Sequence, residues 1–238
     1  MRWLLDTNLR KQMYILPQGQ PADAGAAPTL DDAYMPMLRV GLTGGIACGK
    51  SSIAAMLVKR GAHFLQADGL AHQLYAPGTD TYDKVVRCFG RDILDEDGAI
   101  NRSKLADLVF PGRINELNAI VHPEVVKRQN SWMSEVEQSD PPGIAVVEAA
   151  LLIEAGADTD FDKVIVVTCA FEHKVERFAQ RTNVPLQVAR AEVERRSAAQ
   201  FSDEEKARRG DYIVDNSGST EDTERQVERI WRELRQIE

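Results

Sequence analysis

The residues with the clearest chemical meaning form a glycine-rich run that ends in Lys50 and Ser51 and matches the pattern G-x-x-x-x-G-K-S. Glycines let the backbone curl so that successive N–H groups point into a hollow of phosphate size, and the helix that follows adds its positive N-terminal dipole. In such a loop the lysine reaches the β- and γ-phosphates of a nucleotide and the serine hydroxyl binds Mg²⁺. The pattern therefore predicts a nucleotide site formed by Gly44, Gly45, Ile46, Ala47, Cys48, Gly49, Lys50, Ser51 and Ser52.

Two questions about this loop stay open at the level of the sequence. Cys48 is either an exposed thiol, with its pKa lowered by the helix N-terminus and Lys50, or a small residue that contributes only its backbone N–H. We favour the second interpretation.

The reaction that the loop serves is also open, because switches, motors and kinases all use such a loop. The chain contains no N-K-x-D guanine motif, which disfavours a GTPase switch.

Two acids follow predicted strands, at the strand ends where ligands bind in open α/β sheets. At such a place Asp68 orients an acceptor hydroxyl, accepts its proton or holds Mg²⁺ through water. The alternative is that Asp68 is the N-cap of a helix that begins near Gly69, and position alone does not decide between these roles. Glu148, at the end of the third strand, is either a second acid near the metal or a buried structural carboxylate.

A stretch at residues 171–209 carries nine Lys and Arg residues against seven Asp and Glu residues, in a chain whose net charge is −8. The ordinary interpretation is a solvated helical hairpin with charge pairs spaced i,i+4. In a kinase the same stretch would be a mobile lid whose arginines close over the triphosphate. We expect most of these arginines to lie on the surface and one to three of them to contact phosphate.

Alternating strand and helix patterns position these residues. Short apolar runs rich in β-branched residues are typical of parallel strands buried between two helix layers. Helical patterns occupy residues 50–60, residues 69–138 with breaks at Gly and Pro residues that include Pro123, and a closing segment near the C-terminus. This order predicts an α/β fold of three layers with a mainly parallel sheet. The strands are predicted at residues 38–42, 63–66, 144–147, 164–168 and 212–214.

Composition limits the possible partners and the cellular location. Hydrophobic residues make up 43% of the chain and charged residues 28%, which is the balance of a globular protein. The net charge of −8 disfavours a broad nucleic-acid-binding face. Three widely spaced cysteines form neither a disulfide framework nor a metal-binding spacing, and no run approaches the roughly 18 apolar residues of a membrane span. We therefore expect a soluble cytoplasmic protein without nucleic-acid or membrane partners.

Residues 1–36 differ from the rest of the chain. Their segment 16–28 is rich in Pro, Gly and Ala and has no apolar period that could bury a face, and the first residues lack a signal-peptide pattern. We predict that residues 1–36 are a disordered N-terminal extension, or the product of a start codon assigned too far upstream, and that residues 37–238 are one domain. The alternative, a regulatory or interaction arm, has no specific feature in its favour.

From about Met37 to Leu234 the sequence resembles the dephospho-CoA kinases, the P-loop kinases of coenzyme A biosynthesis. Residues 41–51, GLTGGIACGKS, are similar to the family's G-L-T-G-G-I-x-S-G-K-S, and residues 66–72, QADGLAH, are similar to its D-A-D-x-[IL]-A-[RH]. Single matches are weak, but their order and spacing together are specific. Further matches are Pro77-Gly78, Phe89-Gly90, Gly98, Arg102, Leu105, Val109-Phe110, His122-Pro123, Leu151-Leu152, Glu154, Arg196 with Gln200, and Asp215 to Gly218.

The resemblance implies a P-loop kinase core with a helical substrate-binding region at about residues 70–138 and a helical lid at about residues 171–209. It implies transfer of the γ-phosphoryl group of ATP, with Mg²⁺, to the ribose 3′-hydroxyl of the small-molecule substrate dephospho-CoA. Asp68 matches the acid that activates or positions this hydroxyl, which favours a catalytic role for it beside Lys50. The other implied site residues are His72, Arg102 and His122 for the acceptor, and Arg177, Arg181, Arg196 and Asn216 for the nucleotide.

Three residues depart from the family pattern: Gln66 replaces the first acid of D-A-D, Cys48 replaces a serine of the loop, and Ala150 replaces a proline. None of these changes alters Asp68 or the lysine and serine of the loop, so we expect an active enzyme, as a monomer or a small homo-oligomer. His122 and the proline after it are alternatively the site of a helix bend. The alternative functions are a P-loop kinase for a nucleoside or nucleotide and an ATP-binding regulatory module.

Overall fold

A computed structural model of the chain describes residues 36–109 and 112–236, with the side chains of residues 71 and 72 left undescribed. The predicted disordered extension at residues 1–36 lies outside the described residues, apart from Pro36. In the described part of the chain, no helix combines the length and the apolar character that crossing a membrane requires.

Five strands form a single parallel sheet in the described residues. They are β1 (Leu38–Gly44), β2 (His63–Gln66), β3 (Ile144–Glu148), β4 (Lys163–Thr168) and β5 (Tyr212–Asp215). Their order across the sheet is β2-β3-β1-β4-β5, and every neighbouring pair is parallel. The predicted strands and the parallel α/β class are confirmed. The strand that carries the glycine-rich loop, β1, lies at the centre of the sheet.

Nine α-helices accompany this sheet in the same part of the chain. They are α1 (Lys50–Lys59), α2 (Ala67–Leu74), α3 (Asp80–Phe89), α4 (Arg102–Val109), α5 (Ile114–Ser139), α6 (Phe171–Thr182), α7 (Leu186–Ser197), α8 (Asp203–Ala207) and α9 (Thr220–Leu234).

The helices cover both faces of the sheet, and β3 shows how the two layers are separated. Successive side chains of a strand point to opposite faces. Ile144 and Val146 pack in a core with α1 and α9, whereas Ala145 and Val147 pack in a second core with α5. This arrangement confirms the three-layer prediction, and it explains why all five residues of β3 are buried.

Helices α2, α3, α4 and α5 form a region with a core of its own, in agreement with the helical pattern predicted for residues 69–138. Its buried residues come from all four helices and from the segment between α3 and α4, and their packing holds these helices together. The region starts slightly earlier than predicted, because α2 begins at Ala67. The core contains Leu74, Val85, Phe89, Ile93, Ile100, Leu105, Val109, Leu117 and Val121.

The predicted break at Pro123 is wrong, because α5 runs through this proline for 26 residues. A proline inside a helix removes one hydrogen bond and costs about 3 kcal/mol. The helix tolerates this loss since it is buried on both sides of the proline, where Leu117 and Val121 pack in the core of the helical region and Met133 packs under the sheet. Tertiary packing therefore overrides the local signal.

Candidate active site

The glycine-rich loop connects β1 to α1, and only glycine fits at two of its positions. Gly44 has a φ of 151°, and a Cβ atom there would lie 2.2 Å from the carbonyl oxygen of Val167. Gly49, the N-cap of α1, has a φ of 94°, and a Cβ atom there would lie 2.1 Å from Nδ2 of Asn216. The two glycines therefore let the loop pack tightly against the ends of β4 and β5.

Lys50 and Ser51 open α1 directly after the loop. Lys50 Nζ donates hydrogen bonds to the carbonyl oxygens of Gly44 at 3.0 Å and Gly45 at 3.1 Å. The oxygens of a bound phosphate group can replace these carbonyl oxygens as the acceptors of the Lys50 ammonium group. The Ser51 and Ser52 side chains are exposed in the first turn of α1, at the end of the helix whose dipole favours an anion.

A hydrogen-bond network holds the loop in place at the carbonyl group of Cys48. This oxygen accepts from Asn216 Nδ2 at 2.8 Å and from Arg177 Nη1 at 3.3 Å. Arg177 Nη2 also donates to the Asn216 carbonyl oxygen at 2.8 Å, and Thr223 Oγ1 donates to Asn216 Oδ1 at 3.0 Å. Arg177 and Asn216, both predicted to contact the nucleotide, therefore support the loop that would bind it.

The side chain of Cys48 is fully buried in the core beneath the loop. Burial raises the pKa of its thiol above the ordinary value, and nearby Lys50 and Lys174 offset this only in part. The interpretation of Cys48 as an exposed thiol with a lowered pKa is therefore wrong. The preferred interpretation, a small residue that fills space and contributes its backbone, agrees with the packing.

Glu148 lies at the carboxyl end of β3, in register with Leu42 of β1 and Gln66 of β2. Glu148 is 5% exposed, and among the described residues its Oε2 atom has no hydrogen-bond partner. Burial raises the pKa of this carboxyl group, the Lys50 ammonium lowers it, and the Asp68 carboxylate raises it. Lys50 follows the loop after β1, Asp68 follows β2 and Glu148 ends β3, so the three groups share the carboxyl end of three neighbouring strands.

Asp68 lies in the first turn of α2, where it is exposed. The helix begins at Ala67 and its N-cap residue is Gln66, so the interpretation of Asp68 as an N-cap is wrong. A carboxylate in a first turn is stabilised by the helix dipole. The structure thus places an exposed carboxyl group at the same end of the sheet as the buried Glu148 and Lys50.

The comparisons with known proteins agree with this geometry. The family model described as dephospho-CoA kinase matches residues 38–222. The chain belongs to the dephospho-CoA kinase family. Dephospho-CoA kinases of Aquifex aeolicus and Geobacter metallireducens are 40% and 41% identical to it, each over 83% of this chain and over 98% and 96% of their own lengths. A solved structure from Thermus thermophilus, 32% identical, superposes with a TM-score of 0.71 over 84% of this chain and 98% of its own.

The residues of this kinase that were predicted to bind the acceptor are spread over the helical region. Arg102 is the exposed first residue of α4 and lies near Tyr75, whose phenol pKa is raised by burial and lowered by Arg102. His122 is exposed in the interior of α5, and His72 lies on α2 with its side chain undescribed. Within the described residues, neither Arg102 nor His122 forms a side-chain hydrogen bond to another predicted site residue, so their roles stay predictions.

Helices α6 and α7 of this kinase pack together at the predicted lid. The guanidinium groups of Arg181 and Arg196 lie over the ring of Phe178, 5.6 and 5.7 Å from its centre, and both residues are exposed. Arg196 also pairs with Glu192 at 2.6 Å. Most arginines of this stretch lie on the surface in close charge pairs, as expected, but Lys174 and Lys206 are buried. Closure of the arginines over a triphosphate stays a prediction.

The acidic end of the site fits a magnesium ion that is shared with phosphates. Among the described residues, no three His, Cys, Asp or Glu side chains come together to hold a metal ion. Mg²⁺ needs no such cage, since it is commonly bound by one or two protein oxygens together with water and substrate phosphates. The exposed Ser51 hydroxyl and the unpartnered Glu148 Oε2 atom are oxygen donors of this kind.

Replacing Glu148 with glutamine is expected to raise the free energy of unfolding at neutral pH. The folded-state pKa of Glu148 is raised above its unfolded value, so the wild-type protein loses stability as the pH rises from the unfolded pKa through the folded one. The gain in the free energy of unfolding of the variant is therefore present at pH 7. It vanishes near pH 4, where the Glu148 carboxyl group of the wild-type protein is protonated in the folded state. Urea unfolding at both pH values measures the difference.

The exposed Glu135 of α5 provides a control for this substitution. Glu135→Gln is expected to leave the free energy of unfolding within about 0.5 kcal/mol of wild type at both pH values. An equal gain for Glu148→Gln at pH 7 and pH 4 would contradict the burial argument.

Proposed function

We propose that this chain transfers the γ-phosphoryl group of ATP to the ribose 3′-hydroxyl of dephospho-CoA, giving CoA and ADP. The observation that carries the proposal is that Lys50, Asp68 and Glu148 stand at the carboxyl ends of the neighbouring parallel strands β1, β2 and β3. A cation that binds phosphates and an acid that faces an acceptor are the two parts that this reaction needs side by side.

The side chains have separate tasks in the transfer. Asp68 orients the acceptor hydroxyl and takes its proton while the hydroxyl oxygen bonds to the γ-phosphorus. The bond between that phosphorus and the bridging oxygen breaks, and ADP leaves with the electron pair. Lys50 leaves its two backbone acceptors and contacts the β- and γ-phosphates, where its charge compensates the charge that moves onto ADP. Arg177 and Asn216 keep the loop in the shape this requires.

The donor set supports Mg²⁺ as the cofactor. Ser51 would bind the ion directly, and Glu148, with Asp68 beside it, would hold it through water, which gives the unpartnered Oε2 atom of Glu148 a role. When bound, Mg²⁺ neutralises phosphate charge and helps to align the transferring group.

The remaining residues divide between donor and acceptor. We assign the helical region at about residues 70–138 to the acceptor, with His72, Arg102 and His122 as its polar contacts, and the hairpin at about residues 171–209 to a lid that closes on the nucleotide. Closure would draw Arg181 and Arg196 from the Phe178 ring toward the phosphates.

The chemistry of the proposed substrate agrees with the charge of the chain. A net charge of −8 with local cations at the loop and hairpin supports a small anionic substrate rather than a nucleic acid. We further propose a cytoplasmic location and a monomeric or small homo-oligomeric state.

A turnover assay tests the function directly. Purified full-length protein is mixed with ATP, Mg²⁺ and either dephospho-CoA, adenosine or AMP, and ADP and product formation are followed. Turnover that depends on dephospho-CoA supports the proposal. Turnover on adenosine or AMP instead would show another small-molecule kinase, and ATP binding without turnover on any of the three would favour a regulatory module.

A further inference from the structure

A second lysine, which comes from α6, lies at the phosphate loop. Lys174 of α6 is 8% exposed, and its Nζ atom is 2.7 Å from Oδ2 of Asp203. The same carboxylate oxygen accepts the backbone N–H of Cys169 at 3.3 Å. A Cβ atom on Gly45 would lie 3.1 Å from Lys174 Nζ and 3.0 Å from Asp203 Oδ1, so both charged groups lie against the loop itself.

The carboxylate of this pair is held in a fixed position by α8. Asp203 is the first residue of α8, whose start is closed by a capping box between Ser202 and Glu205. The same helix is anchored by Lys206, which is fully buried and donates to the carbonyl oxygen of Ala150 at 2.9 Å. Asp203 therefore acts as a fixed counter-charge for Lys174.

The stability of the fold does not explain the Lys174–Asp203 ion pair, because a buried ion pair seldom stabilises a fold more than apolar residues of the same size. An ammonium group has three N–H donors. Among the described residues, Asp203 supplies the one hydrogen bond that Lys174 Nζ makes. The remaining donors lie next to a loop whose backbone N–H groups are shaped for an anion.

We infer that Lys174 is a second phosphate-binding cation of this kinase and that Asp203 limits its strength by cancelling part of its charge. The inference rests on the proposed use of ATP and adds a residue that sets nucleotide affinity. Lys50 reaches the loop from the start of α1, where its Nζ atom donates to the Gly45 carbonyl oxygen, and Lys174 reaches the same glycine from α6.

The inference leads to an unusual prediction: substitutions of the two members of the ion pair should change the affinity for ATP in opposite directions. Lys174→Met removes a cation at the loop and is expected to weaken ATP binding by about 5- to 30-fold. Asp203→Asn removes the opposing charge while its amide oxygen still accepts from the lysine, and is expected to tighten ATP binding by about 3- to 10-fold. Lys174→Arg keeps the charge and is expected to stay closest to wild type.

Isothermal titration calorimetry of the full-length protein with ATP, ADP and adenosine measures these effects at low and high salt. Adenosine has no phosphate, so its affinity is expected to be unchanged in every variant. The matched control is Glu233→Gln, which removes the acid of an exposed ion pair with Arg229 within α9, outside the proposed lid, and is expected to leave ATP affinity unaltered. Thermal melting confirms that each variant is folded.

Opposite changes for Lys174→Met and Asp203→Asn that shrink in high salt support the inference. Weaker ATP binding in both variants, or no change in either, overturns it and leaves the pair with a purely structural role. If Lys174→Met does not fold, tighter binding by Asp203→Asn still supports the inference and unchanged or weaker binding still overturns it. No acceptor is present in these titrations, so a failed turnover assay with dephospho-CoA would be a separate result.

Discussion

Replacing Lys50 with alanine is expected to lower phosphoryl transfer by about 10³-fold or more. The ammonium group touches the loop at two carbonyl oxygens, Gly44 and Gly45, and is the charged group that opens α1. During transfer, negative charge moves onto the β-phosphate of the leaving ADP, and a cation placed there stabilises the transition state more than the bound substrate. The loss should therefore appear mainly in kcat. Initial rates of ADP formation with dephospho-CoA measure it.

Lys59 offers a matched control for this substitution, because it is an exposed lysine in the last turn of the same helix. Lys59→Ala removes the same charge from α1 and one favourable contact with the helix dipole, which costs about 0.3–1 kcal/mol of stability without affecting the rate. Melting temperatures of both variants separate folding from catalysis. Near-normal turnover of Lys50→Ala would refute the assignment of the phosphate loop.

The order of strands and helices was predictable because parallel strands have a strong local signature. Runs such as residues 144–147 and 164–167 are apolar and mostly β-branched, and all of these residues lie buried inside the sheet. Pro123 shows where local signals fail, since the packing of α5 against two separate cores could not be read from the residues around the proline. The start of α2 was missed for a related reason, because Gln66 is a poor N-cap by its type alone.

The phosphate loop was predictable because all its residues are consecutive. The surrounding groups were not, because they depend on sheet register and on contacts between distant segments. Glu148 stayed ambiguous until the pairing of β3 with β2 placed it beside the end of that strand. The support of the loop by Arg177 and Asn216 joins residues 129 and 168 positions away from Cys48. Lys174 was only one member of a basic stretch, and nothing in its neighbours along the chain marks it as buried.

Replacing Asp68 with asparagine is expected to lower turnover by about 10²-fold or more while ATP binding persists. Asparagine has nearly the same shape as aspartate but cannot accept the proton of the acceptor hydroxyl. Asp68 is exposed and lies on α2, away from the hydrogen bonds that shape the phosphate loop, so the nucleotide site should stay intact. Rates with saturating dephospho-CoA and calorimetric titration with ATP measure the two effects separately.

Asp80 provides the control that isolates catalysis from helix stabilisation. It is an exposed acid in the first turn of α3, as Asp68 is in the first turn of α2. Each substitution to asparagine removes a charge that favours the helix dipole, so both variants should lose a similar stability of about 0.3–1 kcal/mol. Only Asp68→Asn should lose turnover. Equal rates in the two variants would show that Asp68 only stabilises its helix. The proton of the acceptor hydroxyl would then need another base at this end of the sheet, and Glu148 at the end of β3 is the candidate.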